Sequence, residues 1–341
     1  MSKNVGFIGG KFSPLHNGHV RAIIEASTMV DELHVVVISD DEWEKENLYN
    51  QSKFPFFPMK YRARWIKEMF KDHDHIRVHF TNQPVTDNEF KDWNIGAKNI
   101  NKIINDDITH VFSSEYEYDK YFQLFYPNAI HIVIDAKRSH VPISATTIRQ
   151  QGAINSWDFL PEVVRKDVVK KVAIIGTESN GKSTLVQNLS LMFNTTYVEE
   201  YGRTFMHEVG DNYTLPDDYH TIVMQHWLNV EKEKRHANKI LFVDTEAVVT
   251  QNFSHLYEGI YQNIIDAVIK IQKYDLILFL EPDVEWVDDG TRVFGEESMR
   301  KKAHEELVRL MNYHEIDYVM INGDFNERLS KAYAEVEKIL V

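Results

Sequence analysis

Residues 170–189 read KKVAIIGTESNGKSTLVQNL, and this stretch decides the fold of the second half of the chain. An apolar run at 172–175 predicts a buried strand. Gly176-Thr177-Glu178-Ser179-Asn180-Gly181-Lys182-Ser183 follows with phosphate-loop spacing: glycine, four residues, glycine, lysine, serine. Thr184, Leu185 and Leu189 then open a helix. Glycines let successive backbone N–H groups turn toward phosphate oxygens, and the helix start adds positive potential. Gly176, Asn180, Gly181, Lys182, Ser183 and Thr184 are therefore the expected contacts to a nucleoside triphosphate. Lys182 would pair with the β- and γ-phosphates, and Ser183 would hold Mg²⁺. Because such a fold begins at this strand, everything before residue 170 is expected to form another domain.

Downstream, 196–199 predicts a strand running into Glu200-Tyr201-Gly202-Arg203, and 222–234 predicts a helix. The run KILFVDT at 239–245 is a buried strand ending in Asp244, a Walker B position whose carboxylate holds Mg²⁺ or takes a proton. Strands are expected at 276–280 and 318–321, with a terminal helix after the second. Between them, Trp286-Val287-Asp288-Asp289-Gly290-Thr291-Arg292 reads as a lid whose Arg292 reaches a transferring phosphate. Taken by itself, that segment is only a turn.

Upstream, NVGFIGG at 4–10 predicts a strand ending at Gly9-Gly10, and Phe12, His16 and His19 follow it. The His16-Asn17-Gly18-His19 spacing puts two imidazoles at one helix mouth, where free N–H groups already favour an anion. Isolated, the pair would be two exposed histidines in a turn. After a strand and a Gly-Gly turn it reads as a triphosphate contact that stabilises a leaving pyrophosphate. Strands at 33–39, 76–80, 109–113 and 131–134 alternate with helices at 60–70 and 94–104, predicting a Rossmann-like parallel sheet with ligands at its carboxyl ends. Residues 41–58, with charge, Phe and two prolines but no period, are expected to be a flexible substrate-side loop. Ser113, Lys137 and Arg138 follow strand ends and are candidates for the nucleotide pocket. Arg62 and Arg64 are candidate phosphate contacts or a solvated helix face, and Trp93 is a stacking platform or core. Ser144 reads as an N-cap, with Thr146 and Arg149 converging on phosphate oxygens. The expected organisation is 1–152, a short packed linker helix at 153–168, and 169–341.

The 341 residues suit two or three domains, and 43% hydrophobic with 26% charged content is that of an ordinary globular protein. No cysteine is present, so disulfides and thiolate metal sites are excluded. No run approaches the roughly 18 apolar residues of a membrane helix, and no signal segment opens the sequence, so a cytoplasmic protein without a membrane partner is expected. The net charge of −14 is uneven: 20 Lys/Arg against 23 Asp/Glu in residues 1–168, and 18 against 29 in 169–341. Neither half has the basic balance of a nucleic-acid binder.

The segment from Gly9 to His19, with Ile143-Ser144-Ala145-Thr146-Thr147-Ile148-Arg149, resembles the signatures of the nucleotidylyltransferase superfamily, which moves an AMP or CMP unit onto a phosphate-bearing acceptor. Adding the phosphate loop with Glu178, Glu200–Arg203, Asp244-Thr245 and 286–292, the chain resembles the bifunctional NadR family over nearly its whole length. The resemblance implies a nucleotidylyltransferase domain followed by a P-loop kinase domain. It implies phosphorylation of nicotinamide riboside to NMN, then adenylyl transfer from ATP to NMN giving NAD and pyrophosphate. ATP serves both reactions with Mg²⁺. Trp93 is implied to stack on NMN, and Glu200, Tyr201, Arg203 and Trp286 to hold the riboside. Homo-oligomers are implied as well. Two departures stand out. Family members with a repressor role carry an N-terminal helix-turn-helix domain, which is not expected in this chain. Lys11 stands where the family has a small polar residue. The competing readings are a phosphopantetheine adenylyltransferase joined to a dephospho-coenzyme A kinase, and a catalytically dead nucleotide sensor.

Overall fold

The computed structural model describes residues 3–210, 213–283 and 297–341. The chain forms two compact units, Met1–Val168 and Val169–Val341.

The first unit holds five parallel strands, β1 (Val5–Gly10), β2 (Glu32–Ser39), β3 (Ile76–Asn82), β4 (His110–Ser113) and β5 (Ile130–Val133), in the order β3-β2-β1-β4-β5. Leu33, Val35, Val36 and Val37 of β2 are all fully buried, because helices cover both faces of a parallel sheet and leave no polar side. The strand order reverses at β1, so the carboxyl ends of β1 and β4 flank the crevice where such sheets bind ligands.

Two sequence expectations fail in this unit. The unpatterned stretch at 41–58 contains a helix, Asp41–Asn47, capped by the Asp40 carboxylate accepting from the Trp43 N–H at 3.1 Å. Its buried residue is a carboxylate, Glu44, which a search for apolar periodicity passes over. Glu44 is buried by Arg62, whose guanidinium donates to Glu44 Oε2 (2.9 Å), Asp41 Oδ1 (2.9 Å), Ser39 Oγ (2.7 Å) and the Lys11 carbonyl (2.7 Å). Arg62 is therefore an interior ion-pair partner on the helix Met59–Met69 and not a phosphate contact, whereas Arg64 is on the solvated face. Residues 153–168 pack into this unit: Trp157, Leu160 and Val164 are buried, and the Trp65 indole donates to Asp167 at 2.7 Å.

The second unit repeats the parallel plan with β6 (Lys170–Ile175), β7 (Tyr197–Val198), β8 (Ile240–Asp244), β9 (Leu276–Leu280) and β10 (Val319–Ile321), ordered β10-β9-β6-β8-β7. Val172 to Ile175 are completely buried. One face packs Leu185, Val186 and Leu189 of the helix Lys182–Met192 with Ala332 and Val336 of the helix Phe325–Ile339. The other packs Val248, Ile265 and Leu307 from three further helices. Among the described residues, no helix is long and apolar enough to cross a membrane.

Removing Arg62 strands a fully buried carboxylate. Arg62→Leu is expected to cost about 3–5 kcal/mol of stability, read as a drop in the denaturant midpoint of the first unit; a loss under about 1 kcal/mol would show that Glu44 does not depend on it.

Candidate active sites

In the first unit the site is built on the entrance to the helix Asn17–Ser27. His16 is its N-cap and is 6% exposed: its Nδ1 accepts from the Gly18 N–H at 3.1 Å, while His19 Nδ1 reaches back to the His16 N–H at 3.4 Å. The two imidazoles thus complete a capping box in place of the usual Ser and Glu. Their rings stack with centroids 3.7 Å apart, and Phe12, buried with φ +48°, meets His19 edge-on at 5.1 Å. Because each Nδ1 is spent as an acceptor, each neutral ring carries its proton on Nε2, as a donor. Burial and the Arg138 charge push His16 down to about 4, and burial with the His16 and Arg138 charges holds His19 well below the ordinary histidine range. Both rings are neutral at pH 7.

Arg149 lies on the helix Ala145–Gln151, whose N-cap Ser144 accepts from the Thr147 N–H at 3.0 Å. Its guanidinium donates to the Ser13 carbonyl (2.6 Å) and to Thr146 Oγ1 (3.0 Å), and lies 5.7 Å from the Tyr49 ring centroid. Ser13, in turn, is held by Glu44 and the Tyr49 hydroxyl. The buried Glu44–Arg62 pair therefore fixes the segment that leads into the histidines, on whose Ser13 carbonyl Arg149 rests, a role that pattern reading missed. Gly9 and Gly10 end β1. Lys137 and Arg138 are exposed, with Arg138 3.4 Å from Glu115. Lys11 places its ammonium 4.5 Å from the Trp43 ring centroid. Ser113 Oγ bonds His131 Nε2 at 2.8 Å, tying β4 to β5. Trp93 is half-buried, with Tyr121 stacked on it at 4.7 Å and 13°.

In the second unit the loop between β6 and the helix Lys182–Met192 takes the backbone its glycines permit. Gly176 has φ +150° and Gly181 φ +77°; a Cβ at Gly176 would meet the Leu280 carbonyl at 2.9 Å, and one at Gly181 the Phe325 ring at 2.8 Å. Gly181 caps the helix with no side-chain hydrogen bond, which leaves the N–H groups of Lys182, Ser183 and Thr184 without a capping side chain. Lys182 is folded onto the loop, its Nζ donating to the Thr177 carbonyl at 2.9 Å. Asn180, 1% exposed, is clamped from far along the chain: Arg328 donates to its carbonyl (2.7 Å) and Arg300 to its Oδ1 (3.2 Å). No local sequence signal announces either arginine.

Asp244 ends β8 and is 3% exposed. Burial and the Glu200 carboxylate push it up to about 6, against the Lys182 charge, a Ser183 hydrogen bond and Arg203. The structure therefore gathers Asp244, Lys182, Ser183, Glu200 and Arg203 at one place. Asp244 Oδ1 is buried with no hydrogen-bond partner among the described residues. A cation beside Ser183 would satisfy that atom, so the donor set fits Mg²⁺ carried with nucleotide phosphates. His226, also buried, directs Nε2 to the Thr245 carbonyl at 3.3 Å and supports the turn after Asp244. Tyr201 turns along its own helix and donates to Glu208 at 3.0 Å. Trp286 and Arg292 lie outside the described residues. A cleft of about 490 Å³ near Gln272, Tyr274 and His314 is lined by none of the predicted site residues.

A Rossmann-like unit with paired histidines at its switch point, followed by a phosphate-loop unit with a Walker B aspartate, defines a nucleotidylyltransferase joined to a P-loop phosphotransferase. The family model described as cytidylyltransferase-like matches residues 7–151, and that described as an AAA domain matches 171–328. The trifunctional NAD biosynthesis/regulator protein NadR of Salmonella typhimurium (strain LT2) is 33% identical over 346 residues, covering 99% of this chain and 84% of that protein. A crystal structure of NadR protein in complex with NR matches with TM-score 0.81 at 27% identity, covering 100% of this chain and 97% of that one. A second, in complex with NAD and AMP-PNP, matches with TM-score 0.81 at 26% identity, covering 99% and 96%. The chain belongs to the NadR family.

Because the folded state holds His16 and His19 neutral, it disfavours their protonation relative to the unfolded chain. Their depressed values leave stability full above about pH 6.5, the unfolded histidine value, and erode it as pH falls toward 4. His16→Asn keeps a capping side chain and removes one titrating group. Its denaturant midpoint is expected to fall less steeply than wild type between pH 6.5 and 4, and parallel curves would overturn the assignment.

Proposed function

We propose that the chain makes NAD in two ATP-dependent steps. The second unit phosphorylates the 5′-hydroxyl of nicotinamide riboside to give NMN. The first unit joins NMN to the adenylyl group of a second ATP and releases pyrophosphate. The observation that carries this reading is the pair of anion-binding helix mouths, one per unit, each at the carboxyl end of its sheet and each supplied with the chemistry of a different phosphorus.

In the first unit the NMN phosphate attacks the α-phosphorus, and the bond to the bridging β-phosphate oxygen breaks. Negative charge accumulates on the departing pyrophosphate. His16 and His19 meet it with fixed Nε2–H donors and Arg149 with a guanidinium, so no covalent intermediate is needed. Gly9, Gly10, Phe12, Ser113, Lys137, Arg138, Ser144 and Thr146 are the proposed remaining contacts to this ATP. Trp93, set among Tyr118, Tyr121 and Phe122, is the proposed stacking contact to NMN.

In the second unit Lys182 leaves the Thr177 carbonyl for the β- and γ-phosphates, while Gly176, Asn180, Gly181 and Thr184 complete the cradle. Ser183 and Asp244 would hold Mg²⁺, which when bound neutralises charge on the transferring phosphoryl group. Glu200, Tyr201, Arg203 and Trp286 are proposed to hold the riboside, and Arg292 to meet the γ-phosphate. Transfer of the phosphoryl group to the hydroxyl oxygen releases one proton, and Asp244 is proposed either to take that proton or to bind the metal.

Purified protein given nicotinamide riboside and Mg·ATP should yield NMN, then NAD, by chromatography. His19→Ala should slow adenylyl transfer about 10²–10³-fold while riboside phosphorylation continues, and Lys182→Ala should do the reverse. Loss of both activities from either single change would contradict two separate sites.

A further inference from the structure

The phosphate loop of the second unit contains a carboxylate, Glu178, in a loop whose purpose is to surround anions. Its Oε1 accepts from the Tyr257 hydroxyl at 2.8 Å, and its Oε2 is buried with no hydrogen-bond partner among the described residues. Tyr257 projects from the helix Ala247–Glu258, which begins just after the Walker B strand. Burial and the Glu178 charge push Tyr257 above the ordinary tyrosine range, so it stays a donor. The same hydroxyl senses Glu200, which in turn faces Asp244. Glu178 therefore shares Tyr257 with the Glu200 side of the site, whereas Lys182 is folded onto the Thr177 carbonyl.

A buried carboxylate oxygen left unpaired costs free energy, and native structures keep such atoms where a ligand completes them. ATP is the wrong ligand, since its phosphates repel a carboxylate. The acceptor suits it on both counts: an N-ribosylpyridinium carries a fixed positive charge on its ring and hydroxyl donors on its ribose. We propose that Glu178, held in place by Tyr257, is a specificity-determining residue that accepts a ribose hydroxyl and favours a cationic acceptor over a neutral one. This inference rests on the riboside-kinase reading above.

The test compares nicotinamide riboside with its 1,4-dihydro form, which keeps the carboxamide and ribose but has no ring charge. Wild-type protein should prefer the cationic riboside. Glu178→Gln, which keeps the shape of the side chain, should raise KM for nicotinamide riboside about tenfold and reduce the cationic-over-neutral preference by a similar factor. KM for Mg·ATP should stay within about twofold. Tyr257→Phe keeps the carboxylate but not its anchor, so KM should rise about threefold with the preference retained. An unchanged preference in Glu178→Gln, a parallel rise in both KM values, or no effect of Tyr257→Phe would overturn the proposal. Wild-type protein that phosphorylates neither riboside would instead overturn the kinase reading beneath it.

Discussion

The backbone N–H groups at a helix entrance have no partner within the helix, and both sites in this chain are built on that deficit. The two units resolve it in opposite ways. In the first, side chains fill it: His16 and His19 cap the helix with their own Nδ1 atoms and pass the donor function outward to Nε2. In the second, Gly181 supplies no cap at all, so the N–H groups themselves remain for the phosphates. Under the proposed function, recognition at the first site would fall to imidazole, whose protonation alters both cap and donor, and at the second to backbone, which has no titration.

Neither arrangement would hold its shape without support from distant parts of the chain. The histidine segment rests on the Glu44–Arg62 pair through Ser13 and the Lys11 carbonyl. The phosphate loop rests on Arg328 and Arg300 through Asn180. Arginine suits both tasks because its planar, permanently charged fork satisfies several acceptors at once. Buried ion pairs seldom raise stability over a well-packed apolar alternative. Here they define a geometry, since Arg62 and Arg328 each donate to a backbone carbonyl of the loop they support, and Arg300 adds a bond to the Asn180 side-chain oxygen.

How far the sequence reached follows from the same physics. The strands were legible because parallel strands buried on two faces are continuous apolar runs, as in 172–175 and 33–37. The helix mouths were legible because glycine and histidine spacing is local. Glu44 was invisible, since a buried carboxylate looks like a surface one until its partner, 18 residues on, is placed beside it. Arg328 and Arg300 lie 148 and 120 positions from the asparagine they hold. Arg62 was misread for a related reason: nothing in one chain's pattern separates an arginine awaiting a phosphate from one already paired.

The charge of the second unit has a local explanation that its overall balance hides. An excess of surface carboxylates acts weakly on ATP, because charges farther apart than about 8 Å are largely screened at physiological salt. The carboxylates that matter are unscreened: Asp244 is buried, faces Glu200, and is pushed up to about 6 as a result. Two acids held together this way repel each other until a cation arrives, and Lys182, turned onto the Thr177 carbonyl, only partly offsets them. A nucleotide that brought phosphates alone would take Lys182 away and leave the acids worse off. Under the proposed function, phosphate binding in this pocket would be coupled to cation binding, the condition under which a phosphate loop holds the magnesium complex of a nucleotide in preference to the free anion.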